Sequence, residues 1–235
     1  MTRVRRTAPA GSPRIDPLVL QDIADIDLAT LLAEDSHEGV RLVPGADGRA
    51  DELDAVADEL DLAGLDLRET ELGPLRTARL DLRAARLREV RLQGVDAPVV
   101  NATRGSWIDV EVVGGRLGSV EAYESEWRSL VVSGVRLSYL NLRGARLTDV
   151  RFVDCVVDEL DLGQARLERV AFEGCRVTRL DVGRAELSQV DLRGADLSEI
   201  VGISHLRGAV IDHGQLMALA PAIAAGLGIA VRDGD

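Results

Sequence analysis

Lysine is absent from this 235-residue sequence, so all 28 basic residues are arginine. They are outnumbered by 40 acidic residues, and the formal net charge is -12. This charge disfavours nucleic acid as a direct ligand and favours basic partners. Aromatic residues make up only 3% of the chain. A core of large rings is therefore not expected, and the buried apolar mass must come from Leu, Val and Ala.

Cysteine is also scarce, and long apolar runs are missing. The two cysteines, Cys155 and Cys175, are too few to frame a small secreted fold with disulfides. No apolar run approaches the length of a membrane span or of a signal-peptide core, so we expect no membrane contact and a cytoplasmic location. The hydrophobic content of 46% still suffices to bury a core.

The N-terminal stretch is rich in Pro, Gly, Ala and Ser, and it carries Arg3, Arg5, Arg6 and Arg14. A stretch of this composition buries too little apolar surface to order itself. We therefore predict that residues 1–14 form a disordered basic tail.

A period of five residues dominates the middle of the chain. An apolar column begins at Leu62 and recurs at every fifth position as far as Leu197, with Thr77 as its interruption. A second column of smaller or β-branched residues lies two positions earlier. Neither an α-helix of period 3.6 nor a strand of period 2 can hold such columns on one face. A coil with flat sides can, if each five-residue unit supplies one side with two inward side chains.

The pattern also repeats every twenty residues, which predicts four sides per turn. The second column reads Leu, Ala, Val, Cys from Leu140 and again from Leu160. The same spacing stacks Trp107 on Trp127, Phe152 on Phe172, and Cys155 on Cys175. We interpret these pairs as core, including the two thiols, although their expected spacing also permits a disulfide. Corner glycines recur at Gly94, Gly114, Gly134, Gly174 and Gly194.

Units such as those that begin at Ala145, Ala165 and Ala195 resemble the A(D/N)LXX repeat of pentapeptide-repeat proteins. The resemblance covers about residues 60–200, with an irregular unit at residues 74–78. It implies an all-β solenoid, a right-handed quadrilateral parallel β-helix with short helical caps at its ends. Seven turns at the usual strand spacing of about 4.8 Å predict a rod about 34 Å long.

We divide the chain into the basic tail, an N-terminal cap at residues 15–39, the repeat β-helix at residues 40–202 and a C-terminal helical cap at residues 203–235. The N-terminal cap is expected to form one or two short helices or turns. Val40 and Leu42 lie twenty residues before Leu60 and Leu62, which predicts a partial first turn. A protruding loop is expected at residues 44–51.

In the C-terminal cap, Asp212 and Gln215 form the pattern of a helix capping box. Pro221 predicts a kink or a second short helix that ends near Gly226. Residues 229–231 are expected to add a strand. This segment could cap its own rod or pair with a second copy, which leaves monomer and homodimer open.

No chemistry-bearing motif emerges from the sequence. His37, His205 and His213 are far apart and share no metal-site spacing, and no phosphate-binding loop or nucleophile motif is present. We therefore predict no catalytic residue, no metal site and no cofactor, and hence a protein that is not an enzyme.

The most promising surface feature is an outward column with one residue per turn, formed by Asp61, Asp81, Asn101, Glu121, Asn141, Asp161 and Asp181. Our leading hypothesis is a protein-interaction or scaffold module whose rigid rod presents charged faces to an unknown protein partner. The alternative comes from the resemblance, because family members that protect DNA gyrase from fluoroquinolones are thought to mimic duplex DNA. It implies a DNA-mimicking modulator of DNA gyrase or another topoisomerase.

Overall fold

The computed structural model describes residues 11–26, 31, 36–42 and 58–232. In this part of the chain, parallel strands form one continuous sheet wound into a solenoid of about eight turns. This confirms the right-handed four-sided β-helix implied by the repeat. The strands are β1 (Ala24–Ile26), β2 (Ser36–Glu38), β3 (Val40–Leu42), β4 (Glu59–Asp61), β5 (Asp66–Leu72), β6 (Leu75–Arg76), β7 (Arg79–Asp81), β8 (Arg86–Asn101), β9 (Ser106–Glu121), β10 (Glu126–Ser133), β11 (Arg136–Asn141), β12 (Arg146–Val153), β13 (Val156–Asp161), β14 (Arg166–Glu173), β15 (Arg176–Asp181), β16 (Glu186–Asp191), β17 (Asp196–Val201) and β18 (Ala209–Val210). A 3₁₀ helix (Ile203–His205) precedes β18, and helix α1 (His213–Gly226) follows it.

Successive turns of the rod are stacked in a register of twenty residues. Trp107 of β9 pairs with Trp127 of β10. Leu147 of β12, Leu167 of β14 and Leu187 of β16 likewise lie in one pairing column. The twenty-residue period in the sequence is therefore the strand-pairing register of the solenoid.

Two side chains of each five-residue unit point into the rod, as predicted. In one such unit, Ala145 and Leu147 are buried, whereas Arg146 between them is exposed. Burying a Leu side chain contributes about 1.5–3 kcal/mol relative to leaving it in water. Because every turn repeats this arrangement, stability is distributed over many similar layers and no single cluster dominates it.

Three of the four corners are turned by residues with a left-handed backbone, represented by Gly134, Asp149 and Gln164 with φ of 63°, 55° and 60°. The predicted glycine column supplies one of these corners, and Gly94, Gly114, Gly134, Gly174 and Gly194 all have φ between 61° and 77°. Glycine adopts this conformation without a Cβ penalty. The other two left-handed corners are turned mostly by residues that have side chains.

The irregular unit at residues 74–78 breaks the sequence pattern but keeps the register. Leu75 of β6 pairs with Val95, twenty residues later. Thr77, the polar member of the inward column, is buried, and its hydroxyl donates to the carbonyl oxygen of Arg79 at 2.9 Å. A hydrogen bond to the backbone thus replaces the apolar contact made by other members of the column.

The first turn departs from the register of twenty. Arg41 of β3 pairs with Glu71 of β5, thirty residues later. The expectation that Val40 and Leu42 lie one regular turn below β4 is therefore wrong, because the chain between β3 and β5 is ten residues longer than a repeat turn allows. The loop predicted at residues 44–51 falls in this interval and lies outside the described residues.

The N-terminal segment is ordered where we expected a tail. We call residues 11–20 the N-terminal strap. The backbone N–H of Arg14 donates to Oδ1 of Asp149 at 2.8 Å. The prediction of disorder for residues 1–14 is therefore wrong for residues 11–14, and residues 1–10 lie outside the described part.

The N-terminal cap also differs from its prediction. Residues 16–23 form no helix and lead into β1 with a bend at Asp22, where one or two short helices or turns were expected. Farther along, Leu31 is helical and fully buried. Its carbonyl oxygen lies 2.8 Å from Nε2 of His37, so this buried histidine serves a structural contact.

The C-terminal helix begins with the predicted capping box. The carboxylate of Asp212 accepts the backbone N–H of Gln215, and the Gln215 side chain accepts the backbone N–H of Asp212. Helix α1 then runs as one element through Pro221, so the second helix that was one of two alternatives is not formed. It ends at Gly226, as predicted. The strand expected at residues 229–231 is also absent from the described structure.

Helix α1 covers the last turn of its own rod. The Gln215 side-chain amide donates to the carbonyl oxygens of Leu192 and Ala195 at 2.6 and 2.7 Å. The bond to Ala195 satisfies an acceptor that a following turn would otherwise fill, as Asp196 does for Cys175. Leu219 is buried, while Leu216 and Met217 on the same helix remain exposed. The sheet also continues past residue 202, because β18 pairs with β16.

Candidate interaction face

The outward column found in the sequence lies along one side of the rod, which we call the column face. Its members occupy successive turns in pairing register, and they are Asp61, Asp81, Asn101, Glu121, Asn141, Asp161 and Asp181. The fold therefore brings together residues that are spread over 121 positions of the sequence, from 61 to 181.

Most members of this column accept a hydrogen bond from a backbone N–H of their own turn. Asp161 accepts the backbone N–H of Gly163 at 2.7 Å, and Asn141 accepts that of Arg143 at 3.0 Å. The same bond to the residue two positions later forms at Asp61, Asp81, Asn101 and Asp181. Short Asp and Asn side chains favour this local bond, so the repeat needs them at this position for folding.

Arginines neutralise part of the column. Asp81 and Asp161 are only 4% and 8% exposed. Nε of Arg83 lies 2.8 Å from Oδ2 of Asp81. Arg143 contacts Oδ2 of Asp161 at 2.8 Å and lies 3.9 Å from Asp181, and its hydrogen bond to Asp161 raises the pKa of Arg143. The column face is therefore a mixed charged surface, not a continuous anionic one.

Of the two tyrosines of the chain, Tyr123 lies on the column face and Tyr139 lies at the corner beside it, near Glu121, Arg143 and Asp161. Tyr123 follows Glu121 by two positions and is 37% exposed, whereas Tyr139 precedes Asn141 by two positions and is half-buried. These two residues were not predicted from the sequence, because they lie beside the periodic columns and belong to none of them. Their placement two residues from column members in adjacent turns was the available signal.

We call Glu121, Tyr123, Tyr139, Asn141 and Arg143 the tyrosine patch. The amide of Asn141 donates to Oε2 of Glu121 at 2.7 Å, which links two turns. Burial raises the pKa of Tyr139, and the negative charges of Asp161 and Glu121 raise it further. The phenol therefore stays protonated at neutral pH and can donate a hydrogen bond to a partner.

Comparison with known proteins agrees with this architecture. Residues 133–169 and 165–200 match the family model for pentapeptide repeats, with eight copies of the repeat. Residues 133–200 are therefore pentapeptide repeats. A search of curated proteins gives no significant match.

The chain also aligns with solved structures of pentapeptide-repeat proteins. One is HetL, a pentapeptide repeat protein involved in heterocyst differentiation regulation from the cyanobacterium Nostoc sp. strain PCC 7120, with 18% identity, a TM-score of 0.40, and coverage of 76% of this chain and 90% of HetL. Another is full-length QnrB1, a plasmid-mediated fluoroquinolone resistance protein, with 15% identity, a TM-score of 0.38, and coverage of 80% of this chain and 89% of QnrB1. At these identities the likeness concerns the fold alone.

The remaining aromatic residues of this pentapeptide-repeat rod are stacked inside it. The ring centroids of Trp107 and Trp127 are 5.3 Å apart with an interplanar angle of 10°. Those of Phe152 and Phe172 are 4.8 Å apart with an angle of 2°. All four are buried, so these rings fill the interior and are not available as a ligand platform. Tyrosine is therefore the aromatic residue that the pentapeptide-repeat rod presents to solvent.

The two cysteines are free thiols inside the pentapeptide-repeat rod. Sγ of Cys155 lies 3.4 Å from the carbonyl oxygens of Val132 and Val153, to which the thiol can donate. The hydrogen bond between the two thiols lowers the pKa of Cys155 to about 7, whereas that bond and burial raise the pKa of Cys175. Both side chains are buried, and they pack as small apolar groups.

We expect these thiols to resist modification while the pentapeptide-repeat rod is folded. With dithionitrobenzoate in native buffer, fewer than about 0.1 thiols per chain should react within an hour, because only an accessible thiolate attacks the reagent. In denaturant, both Cys155 and Cys175 should react. Fast reaction of the native protein would contradict their placement in the interior.

Metal-ligand side chains are not clustered in the described residues of the rod. These residues contain no group of three or more His, Cys, Asp or Glu side chains placed to hold a metal ion. An interior gap of about 40 Å³ beside Trp107 and Trp127 has only apolar walls. Helix α1 is too short to cross a bilayer, and no other described helix could do so.

Proposed function

We propose that the chain is a non-enzymatic protein-interaction module, and that the tyrosine patch on the column face is its contact surface. The proposal places this interaction in the cytoplasm and assigns it no cofactor. Its main support is the placement of both tyrosines and Arg143 on or beside the column face of a rod whose other aromatic residues are buried. Tyr and Arg are among the residues that most often carry the binding energy of protein interfaces.

The rigid scaffold supports the same proposal. Tyr139 and Asn141 belong to β11, and Glu121 ends β9, so strand pairing on both sides holds them in place. Contact groups that are held before binding lose little conformational entropy when a partner docks. A partner with basic and hydrogen-bonding groups fits the negative net charge of the chain and the carboxylates that flank the patch.

The topoisomerase alternative has weaker support. A decoy for a DNA-binding surface needs a sustained negative field, but Arg83 and Arg143 neutralise carboxylates within the column. The column carboxylates are also used locally, since Asp161 accepts a backbone N–H and is nearly buried. Supercoiling inhibition by the purified chain at low micromolar concentration would nevertheless favour this alternative over the interaction module.

The interaction module can be tested by comparing three baits in an extract of the native host. The wild-type chain and the double variant Tyr123→Ala/Tyr139→Ala are compared with Arg166→Ala, which removes an exposed side chain from another side of the rod. We expect at least one protein to be retained by the wild type and by Arg166→Ala but reduced about tenfold or more with the double variant, as loss of an interface hot spot predicts.

Thermal unfolding provides the control for this comparison. All three baits should unfold within a few degrees of one another, since Tyr123 is exposed and Tyr139 is half-buried. Identical sets of captured proteins for the double variant and the wild type would eliminate the tyrosine patch as the contact surface.

A further inference from the structure

The N-terminal strap runs along the outside of the rod, opposite to the direction in which the solenoid grows. At its start, a Cβ built on Gly11 would lie 3.5 Å from Cβ of Gln189 in the C-terminal part of the rod. Three residues later, the backbone N–H of Arg14 donates to Asp149, two turns below. This side of the rod is distinct from the column face.

The path continues toward the N-terminal turns. The backbone N–H of Leu18 donates to Oε1 of Glu111 at 3.2 Å, and Nη2 of Arg91 donates to the carbonyl oxygen of Leu18 at 3.2 Å. Seven extended residues span about 23 Å, and the four turns between the contact points span about 19 Å. The strap therefore crosses these turns in a nearly straight, extended conformation.

The surface below the strap is built differently from an ordinary solvated side. Ala171 points outward by register, yet it is only 5% exposed, and Asp149 at the corner is 8% exposed. Polar residues normally occupy outward positions of a half-exposed sheet. We call Arg91, Glu111, Asp149, Ala171 and Gln189 the strap groove.

Each of the two carboxylates of the strap groove is paired with an arginine. Arg169 contacts both oxygens of Asp149, at 2.7 and 2.9 Å. Although burial opposes ionisation, the hydrogen bonds from Arg169 and from the backbone N–H of Arg14 lower the pKa of Asp149. Glu111 is paired with Arg91 at 3.0 Å. Two charged acceptors thus face the strap at fixed positions and receive backbone N–H groups four residues apart.

The strap is fastened much more weakly than the turns beneath it. Among the described residues, the strap forms no strand and enters no ladder of the sheet. Its apolar side chains at Pro13, Ile15, Leu18 and Leu20 are half-buried, whereas most inward residues of the rod are buried. Segments held by few buried contacts open at a lower free energy than the whole fold.

We propose that the strap groove is a binding site for an extended peptide, occupied here by residues 11–20 of the same chain. The strap opens while the rod stays folded, and the vacated groove accepts an extended segment of a partner protein. That segment must offer backbone N–H groups to Asp149 and Glu111 and apolar side chains at positions equivalent to Pro13, Ile15, Leu18 and Leu20. The strap itself shows the chemistry that this site recognises.

The test uses full-length chains and a fluorescent peptide that carries residues 11–20. Arg14→Pro removes the backbone N–H that Asp149 accepts, and Arg14→Ala is the matched control because it removes the same exposed side chain but keeps the N–H. We expect the Arg14→Pro chain to bind the peptide about tenfold more tightly than the Arg14→Ala chain, since its own strap competes less well.

Two further measurements make the result decisive. Hydrogen exchange at the backbone N–H of Leu18, which donates to Glu111, should be at least about tenfold faster in the Arg14→Pro chain than in the Arg14→Ala chain, while the unfolding midpoints stay equal. A peptide with Pro at the position of Arg14 should bind about tenfold more weakly than the original peptide. Equal peptide binding by the two chains, no binding by the Arg14→Pro chain at 1 mM peptide, or strap exchange only through global unfolding would each overturn the proposal.

Discussion

Phe152→Ala is expected to lower the free energy of unfolding by about 3–5 kcal/mol, measured by chemical denaturation. Phe152 is fully buried, and its ring stacks on Phe172 in the next turn. Truncation removes the apolar surface that the ring buries, and it leaves a cavity that the rigid strands on either side cannot close.

The neighbouring residue supplies the control for this substitution. Arg151 precedes Phe152 in β12 but points outward and is exposed. Arg151→Ala should change the free energy of unfolding by no more than about 0.5 kcal/mol. Similar losses for Arg151→Ala and Phe152→Ala would mean that the chain does not alternate between inward and outward side chains at this point.

Gly115→Ala should destabilise the rod by about 2–5 kcal/mol. A methyl group at this position would overlap with the backbone carbonyl oxygen of Val95 in the adjacent turn, and Gly115 also has φ of 97°. Two paired strands approach here so closely that only glycine fits. The loss should appear as a lower denaturation midpoint and a lower melting temperature.

Substitution of Gly114 distinguishes the cost of the left-handed backbone from the cost of the close contact between strands. Its φ is 64°, but a Cβ there would meet no atom within 4 Å. Gly114→Ala should therefore cost only about 1–2 kcal/mol, the penalty of a left-handed backbone for a residue with a Cβ. If Gly114→Ala proved as damaging as Gly115→Ala, the close contact between strands would not be the reason for glycine at position 115.

The interior of the rod could be read from the sequence because its order is periodic. A residue such as Leu147 is buried for the same reason as Leu167, so the spacing of five gives the sides and the spacing of twenty gives the register. The corner glycines and the stacked Trp and Phe rings follow the same spacing of twenty residues. Even Thr77 stays in register, since a local hydrogen bond satisfies its hydroxyl.

The segments that the sequence did not reveal are those outside the period. The strap consists of residues 11–20, and its contact with Asp149 joins positions 135 residues apart. No local pattern encodes such a pairing, and the same composition that orders poorly by itself becomes ordered on a preformed surface. The register of the first turn was predicted wrongly for a similar reason. Ten additional residues between β3 and β5 change the pairing distance of β3 from twenty to thirty residues.

The column face was located correctly, but its chemistry was not evident from the sequence. The sequence identified Asp161 as an outward acidic residue. In the structure its carboxylate accepts the backbone N–H of Gly163 and pairs with Arg143, so little of it is free to contact a partner. Which outward residues remain available to a partner depends on such side-chain contacts. The two tyrosines of the tyrosine patch lie beside the column, at positions that the repeat analysis did not follow.

The measurement that tests the rod most directly is a pair of electron–electron distances between spin labels. Positions 86, 166 and 186 share one exposed column, four and five turns apart, and the buried Cys155 and Cys175 should remain unlabelled. Labels at 86 and 166 should lie about 19 Å apart, and labels at 86 and 186 about 24 Å apart. An increment of about 5 Å per twenty residues is the result that the stacked four-sided coil predicts. Equal distances for the two pairs, or an increment above about 10 Å, would contradict it.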